Sequence, residues 1–263
     1  MVSSTTKWKR RALCAFGIGA IGLAYLWFFG TQTFFALWAR NVGRKVPIVK
    51  SVPAELNDTS VSLAKGEKVS FRGAEFEVPW NDVEEEKIRV MGNWLEVPFR
   101  SGNSIILCVV PPDAFIADMK KSNNPDPELF KAIYGPDVLR SDYALYKAIL
   151  ETTPSQINLF TPGGRAAGLG SILLIKAVMP PTTDWAIFSV QSRDFKGFQL
   201  GDPIRRPKKL CLDLYAQNVH FEINIQQRTS SPSPAITQAE LNRITQTARQ
   251  VPETGATFTI RPT

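Results

Sequence analysis

The chain has 263 residues, enough for one or two domains, and its formal net charge is +7. The charge is unevenly distributed, because residues 1–50 hold all of the basic excess and no acidic residue. The eight basic side chains of this segment are Lys7, Lys9, Arg10, Arg11, Arg40, Arg44, Lys45 and Lys50. Residues 51–263 carry 23 basic and 24 acidic side chains, a net charge of −1. This balance excludes nucleic acid as a partner of that part of the chain, since such partners require a basic surface.

Residues 12–39 form an uncharged, apolar stretch. It is long enough to cross a bilayer as a helix, which takes about 20 apolar residues. Three interpretations compete: a cleaved export signal, an uncleaved transmembrane anchor and a buried core helix. We favour the anchor, because the apolar run is longer than that of a typical signal peptide and Trp38 stands where a cleavage site needs a small residue. Trp8 and Trp38 bracket the stretch at positions typical of the membrane interface.

The flanks of the stretch predict its orientation. Residues 1–11 are a short tail that concentrates four basic side chains and the α-amine, whereas the basic residues after the stretch are spread over residues 40–50. The positive-inside rule therefore favours a single-pass protein with the N-terminus inside and an extracytoplasmic domain, as in a bacterial envelope. Basic flanks also attract anionic lipid headgroups, by roughly 1 kcal/mol per residue near the surface.

Residues 17–22 read G-I-G-A-I-G and match the G-x-G-x-x-G pattern of dinucleotide-binding sites. That pattern carries meaning only after a strand and within a βαβ unit. Here it lies inside the apolar stretch, so we assign no nucleotide site. The small residues are compatible with close packing against a partner helix, which leaves dimerisation open.

Residues 40–66 are rich in Pro, Ser and Thr and are expected to be a linker. Residues 67–263 are expected to form a soluble α+β domain, an antiparallel sheet flanked by helices. Two hairpins open this domain, over residues 69–80 and 94–110. The second strand of the later hairpin is apolar on both faces, which predicts a central position in the sheet.

Capping signals predict the helices in the middle of the domain. Asp126 followed by Pro127 starts one helix, which ends after Tyr134, and further helices begin at Ser141 and at Thr153. The glycine-rich residues 161–170 are expected to be a flexible connection, with a phosphate cradle as the alternative. Residues 171–179 are either a short helix or a strand.

The rest of the chain is expected to return to strands and to end on a helix. The predicted strands are residues 184–191, 195–200, 210–215 and 219–227, with a frayed edge strand at 256–260. A capping box at Thr237 and Glu240 predicts a helix from Gln238 to about Arg249. Its predicted buried stripe consists of Leu241, Ile244, Ala248 and Val251.

The single histidine, His220, is the sharpest test for catalytic chemistry. Alternation places Val219 and Phe221 in the core, and His220 and Glu222 on the opposite, polar face, roughly 7 Å apart. The chain has no G-x-S-x-G elbow, and one histidine cannot form a multi-histidine metal site. We therefore interpret His220 as a surface residue on an open sheet and predict no catalytic, cofactor-binding or metal-binding residue. A pair of carboxylates distant in sequence stays open.

The three cysteines predict no metal or redox site, because no C-x-x-C pair occurs. Cys14 lies in the apolar stretch, whereas Cys108 and Cys211 lie in predicted strands. Buried free thiols are the expected state of the latter two. A disulfide between them is the alternative for a domain outside the cytoplasm.

The order of two hairpins, helices, strands and a final helix resembles the PsbP/Mog1-like α+β sandwich. The residues that carry the resemblance are F-R-G-A-E-F-E-V-P-W (71–80), W-L-E-V-P-F-R-S-G-N-S-I-I-L (94–107), W-A-I-F-S-V (185–190), G-F-Q-L-G (197–201) and I-T-Q-A-E-L-N-R-I (236–244). The resemblance covers roughly residues 66–251. It implies a non-catalytic role in binding or assembly, and it assigns no functional residue.

These observations together predict a single-pass membrane protein whose extracytoplasmic domain is a non-catalytic binding or assembly module. Its expected partners are the bilayer, through residues 12–39, and a membrane or envelope protein. The alternatives are a membrane-tethered hydrolase with an unidentified carboxylate site and a cytoplasm-facing adaptor.

Overall fold

The structure is a computed structural model that describes residues 33–122, 126–179, 186–217, 219–227, 235–252 and 258–263, together with Gly19, Gly22, Tyr25 and Gly30. Within these residues the chain is an α+β domain of mixed and antiparallel sheets flanked by helices, which confirms the expected class. The tail 1–11, most of the stretch 12–39, Cys14 and Trp8 lie outside the described residues. No helix among the described residues has both the length and the apolarity needed to span a bilayer.

The bounds of the elements are as follows. The helices are α1 at residues 33–45, α2 Ala114–Ser122, α3 Pro127–Tyr134, α4 Asp142–Glu151, α5 Gly163–Ala177 and α6 Gln238–Thr247. The strands are β1 Ala54–Glu55, β2 Glu67–Phe71, β3 Ala74–Val78, β4 Arg89–Met91, β5 Trp94–Pro98, β6 Asn103–Val110, β7 Ile187–Gln191, β8 Lys196–Leu200, β9 Lys209–Tyr215, β10 His220–Gln227, β11 Arg249–Gln250 and β12 Phe258–Pro262. Short 3₁₀ turns lie at Pro47–Lys50, Glu85–Lys87, Pro136–Leu139, Pro154–Gln156 and Pro203–Arg205.

The larger sheet has the strand order β1-β7-β8-β9-β10-β6-β5-β4. Only the β1–β7 pairing is parallel among the described strands, and all other neighbours are antiparallel. Strand β10 is central, with His220 opposite Tyr215 of β9 on one side and Val110 of β6 on the other. The expected hairpin over residues 94–110 is present as β5 and β6.

The smaller sheet has the order β11-β3-β2-β12. Strands β2 and β3 form the expected first hairpin, and their turn residues Arg72 and Gly73 have φ values of 46° and 80°. Positive φ at both turn positions matches the right-handed twist of the flanking strands. Strand β12 pairs with β2, so the expected C-terminal edge strand is confirmed.

The two sheets pack face to face over an apolar layer that we call the inter-sheet core. It joins side chains of β2 and β3 to alternate residues of β5, β6, β9 and β10, such as Phe76, Leu107, Leu212 and Phe221. Helix α6 closes this layer with Leu241, Ile244 and Ala248. Its predicted capping box is confirmed, because Thr237 Oγ1 accepts from Glu240 N at 3.2 Å and Glu240 Oε2 accepts from Thr237 N at 2.7 Å.

Helices α1 to α5 cover the other face of the larger sheet and form a second apolar cluster, the helix-side core. Helix α4 begins at Ser141 and buries Leu145, Ala148 and Ile149, and α3 begins at its Asp126 cap, both as predicted. Helix α2 was not predicted. The N–H groups of its first turn bond to the carboxylate of Asp142, which is distant in sequence, so no local capping residue marks its start.

Part of the segment expected to be a linker, residues 40–66, packs within the helix-side core. Ile48 and Val49 lie in the turn after α1 and are 2% and 0% exposed. Lys176 of α5 is also fully buried, and its Nζ donates to the carbonyls of Ser51 at 2.6 Å and Thr152 at 2.7 Å. These bonds tie the segment after α1 to α5.

The glycine-rich residues 161–170 were expected to be a flexible connection, and this is wrong from Gly163 onward, where α5 begins. The glycines serve helix packing instead. A Cβ at Gly168 would lie 2.5 Å from Leu129 Cδ1, and a Cβ at Gly170 would lie 3.0 Å from Phe35 Cδ1. Close approach of α3 and α1 therefore offsets the low helix propensity of glycine.

Candidate ligand-binding site

His220 is buried, which corrects its interpretation as a surface residue on an open sheet. The alternation along β10 is confirmed, because Val219 and Phe221 lie in the inter-sheet core. The opposite face, however, is covered by α4, whose Tyr143 and Tyr146 rings contact Tyr215. His220 is only 9% exposed as a result.

A buried pair joins His220 to Asp213 of the neighbouring strand β9. The distance from His220 Nε2 to Asp213 Oδ1 is 2.6 Å, and the Tyr215 hydroxyl donates to Asp213 Oδ2 at 3.0 Å. The Tyr215 ring also stacks on the imidazole, with centroids 4.1 Å apart and an interplanar angle of 11°. Because an ionised carboxylate only accepts, Nε2 is the donor of this bond.

The other ring nitrogen of His220, Nδ1, is buried and has no hydrogen-bond partner among the described residues. A buried polar atom without a partner costs about 1–3 kcal/mol and calls for a functional explanation. His220 also lines a cavity that a small molecule can occupy, although Nδ1 itself lies below the accessible surface.

Further polar side chains continue the helix-facing row of the sheet. Glu222 Oε1 accepts from Asn224 Nδ2 at 2.6 Å and lies 3.8 Å from Cys211 Sγ. Burial, with the charges of Asp213 and Glu222 second, raises the pKa of the Cys211 thiol well above its usual value. Burial likewise raises the pKa of the Cys108 thiol. Both cysteines are free, as predicted, and both stay protonated and poorly nucleophilic.

The cavity beside His220 has a volume of about 540 Å³, within the usual range for small-molecule sites. It is formed by the end of β6, the start of α4, the β7–β8 turn and the β9–β10 turn. Ionisable side chains are prominent in its lining, namely Asp113, Asp142, Asp194, Arg140, Arg193, Lys196 and His220.

Two of the lining carboxylates are committed to helix ends. Asp142 of α4 accepts from the backbone N–H groups of Phe115 at 3.1 Å and Ile116 at 3.0 Å in the first turn of α2. Asp113 in turn accepts from the backbone N–H of Asp142 at 2.9 Å. This reciprocal arrangement satisfies helix N-termini that would otherwise lack partners. Burial raises the pKa of Asp142 above its usual value, against the lowering effect of these two N–H groups.

The cations of the lining are less engaged. Arg140 forms no ion pair with any described residue, and the nearest carboxylate to Arg193 is Asp194, with Nε and Oδ1 3.9 Å apart. Lys196 places its Nζ 4.3 Å from the ring centroid of Tyr143, a cation–π contact. Among the described residues, Arg140 and Lys196 therefore lack a carboxylate within ion-pairing distance, whereas Arg193 and Asp194 form an ion pair.

Sequence reasoning singled out His220 and Glu222 but not Asp213, Asp142 or Arg140. One signal for Asp213 was available in the sequence. Alternation along the predicted strand 210–215 places Asp213 on the same face as Cys211 and Tyr215, which is the helix-facing side. Asp142 and Arg140 join the site only through tertiary packing. No cluster of His, Cys, Asp and Glu suited to a metal ion occurs among the described residues.

Comparison with known proteins gives no match to a family model, a curated protein or a solved structure. The resemblance to PsbP/Mog1-like domains therefore stays a prediction.

Proposed function

We propose that the chain is a membrane-tethered, non-catalytic binding module whose cavity beside His220 takes a small anionic molecule. The main support for this proposal is that two lining carboxylates are hydrogen-bonded, whereas two lining cations have no acidic partner in the described part of the chain. The carboxylates of Asp113 and Asp142 are held by backbone N–H groups, whereas Arg140 and Lys196 have no carboxylate within ion-pairing distance among the described residues.

Unpaired cations next to a buried histidine favour a carboxylate or phosphate group. Arg140 offers a planar fork of donors that suits both groups, and Lys196 offers a point charge held over Tyr143. Asp213 fixes the position of the imidazole, because it accepts the bond from Nε2, while Nδ1 stays buried without a partner among the described residues. The aromatic rings of Tyr143 and Tyr215 supply apolar surface for the ligand body.

The tether is residues 12–39, with the N-terminus inside and the domain extracytoplasmic. Support comes from the uncharged run and from the concentration of basic residues in its flanks. The last residues of the run, such as Trp38 and Ala39, pack in the helix-side core. A membrane or envelope protein is the proposed macromolecular partner, and ligand binding in the cavity is the signal that the module would pass to it.

The test is the unfolding midpoint of the full chain in detergent with and without acetate, citrate and inorganic phosphate. We expect at least one of these anions to raise the midpoint, since a ligand that binds only the folded state stabilises it. The rise should be lost in Arg140→Gln and Lys196→Gln. Lys208→Gln is the matched control, because it removes the same charge from an exposed loop residue that does not line the cavity. An equal response in the control and the cavity variants would contradict the proposal.

A second candidate function is a membrane-tethered hydrolase. The observation that favours it is the Asp213–His220 pair, since a carboxylate that orients a histidine is half of a general-base arrangement, and Ser141 lines the same cavity. Ser141 already accepts a hydrogen bond from Ala144 N at 3.2 Å as the cap of α4. Hydrolysis of p-nitrophenyl acetate that is lost in both His220→Gln and Ser141→Ala would establish this candidate.

A further inference from the structure

Two apolar side chains project from the loop just before α5. Phe160 is 91% exposed and Leu159 is 47% exposed. The loop itself is well ordered by hydrogen bonds, because Asn158 Oδ1 accepts from Phe160 N at 2.8 Å and Thr161 Oγ1 accepts from Asn158 N at 3.0 Å. This hydrogen-bonded turn therefore presents a large aromatic ring to solvent beside a second apolar side chain.

The direction of α5 places this loop at the N-terminal end of α1. Gly170 of α5 lies against Phe35 and Trp38 of α1, whereas Lys176, further along α5, bonds to Ser51 beyond the end of α1. The two helices thus run the same way. Gly163 precedes Gly170 by seven residues, a rise of about 10 Å, so the loop before it lies on the N-terminal side of Phe35.

The exposed face of α1 changes character along its length. Phe34 and Leu37 are each 62% exposed, and over the next two turns the exposed residues are Arg40, Asn41, Arg44 and Lys45. An apolar face that becomes basic within two turns is typical of the boundary between hydrocarbon and headgroups. Arg165, exposed in the first turn of α5, supplies a further cation close to the loop.

We infer that Leu159 and Phe160 insert into the lipid bilayer from which residues 12–39 emerge. This inference rests on the anchoring part of the proposed function. The occupant is a lipid surface, because the loop lies on the side of the domain that the apolar stretch enters and is accompanied by cations suited to anionic headgroups. The loop fixes the orientation of the domain, so that the helical layer lies against the membrane and the smaller sheet faces away from it.

The experiment uses the full chain in liposomes that contain anionic lipids, with an environment-sensitive fluorophore attached to Phe160→Cys in a Cys14→Ser background. The matched control is Leu63→Cys, because Leu63 is 95% exposed and its neighbour Ser62 bonds to Ala239 of α6, on the inter-sheet side. The parent protein without a new cysteine measures any labelling of the buried Cys108 and Cys211.

We expect lipids that carry a nitroxide quencher to abolish most of the fluorescence at position 160 and to leave that at position 63 unchanged. Equal quenching at the two positions would overturn the inference. A blue-shifted emission at position 160 without quenching by lipid would also overturn it, since it would mean that a second copy or another protein covers the ring. Release of the protein from the liposomes by alkaline washing would instead contradict the anchor itself.

Discussion

The two faces of the eight-stranded sheet bury similar numbers of side chains but differ in chemistry. The inter-sheet core is dominated by apolar side chains whose rings contact one another directly, as Phe221 does with Phe76 and Phe195. Buried polar side chains border it at α6, where Gln199 bonds to Gln238 and Arg243 bonds to Glu77. The helix-facing side buries His220, Asp213 and Lys176 among its apolar residues. Buried polar groups therefore occur on both sides, and the helix-facing side is distinguished by the cavity that lies beside His220.

Position in the chain reinforces the contrast. The helix-facing side contains the end of the apolar stretch, the cavity and the exposed Phe160. The inter-sheet side is built from hairpins that are close in sequence and from the capped helix α6. One side therefore provides stability, and the other carries the proposed anchor, ligand and lipid contacts.

The largest effect is expected from Phe221→Ala in the inter-sheet core. The side chain is fully buried between Phe76 and Phe195, so its removal leaves a cavity and should cost about 3–5 kcal/mol of unfolding free energy. Denaturant unfolding of the full chain in detergent measures this loss. A cost below that of Asp213→Asn on the helix-facing side would contradict the assignment of this layer as the stabilising one.

Asp213→Asn should have the next largest effect. It replaces a charged acceptor of two hydrogen bonds, from His220 and Tyr215, with a neutral amide that has one acceptor oxygen, and a hydrogen bond to a charged group contributes about 1.5–3 kcal/mol. A double-mutant cycle with His220→Gln isolates the pair, and we expect the two losses to be strongly non-additive because the residues contact each other. Additive losses would mean that the 2.6 Å contact contributes nothing to stability.

The buried Lys176 side chain on the helix-facing side predicts that the free energy of unfolding depends on pH. Burial lowers the pKa of Lys176 to about 8, from 10.5. The unfolded chain thus binds this proton more tightly than the folded one, so the protonated lysine lowers the free energy of unfolding. This loss of stability decreases as the pH rises from about 8 toward 10.5. The gain should be about 1 kcal/mol between about pH 7.5 and pH 9.

The measurement for Lys176 is the unfolding midpoint at both pH values, with Lys176→Met as the comparison. The variant removes this one titrating group, so the difference between the two proteins isolates its contribution. We expect the wild type to gain stability relative to the variant at the higher pH. A parallel response of both proteins would show that Lys176 does not titrate in this range.

The smallest effect is expected from Phe160→Ser. Because the ring is almost fully exposed, its loss should change the unfolding free energy in detergent by no more than about 0.5 kcal/mol. The matched variant Phe130→Ser, at a fully buried position of α3, should be strongly destabilising. Similar losses for the two would mean that the loop ring is part of the folded core.

Local patterns predicted the elements well where the signal lies within a few residues. The alternation around Phe221, the Asp126 cap and the capping box of Thr237 and Glu240 are all confirmed. These features depend on backbone geometry and nearest neighbours. The hairpin turn at Arg72 and Gly73 belongs to the same class.

The rest depends on contacts distant in sequence. His220 was expected at the surface because its strand shows a polar face, and only the helices over residues 114–151 bury that face. The glycines of α5 predicted a flexible loop. Their place in a helix is explained only by the close approach of Leu129 and Phe35, which leaves little room for a Cβ. Asp213 looked like one polar residue in a strand until its partner on β10 was known.

The most direct test of the account uses the single histidine as a reporter. In protein labelled with ¹⁵N-histidine, the Nδ1 and Nε2 resonances of His220 report the unpartnered nitrogen and the bond to Asp213 separately. Titration with citrate and inorganic phosphate is predicted to shift the ring resonances of His220 in the wild type, and much less in Arg140→Gln. Resonances that do not move with either anion, or that move equally in the variant, would contradict the claim that the helix-facing cavity is an anion-binding site.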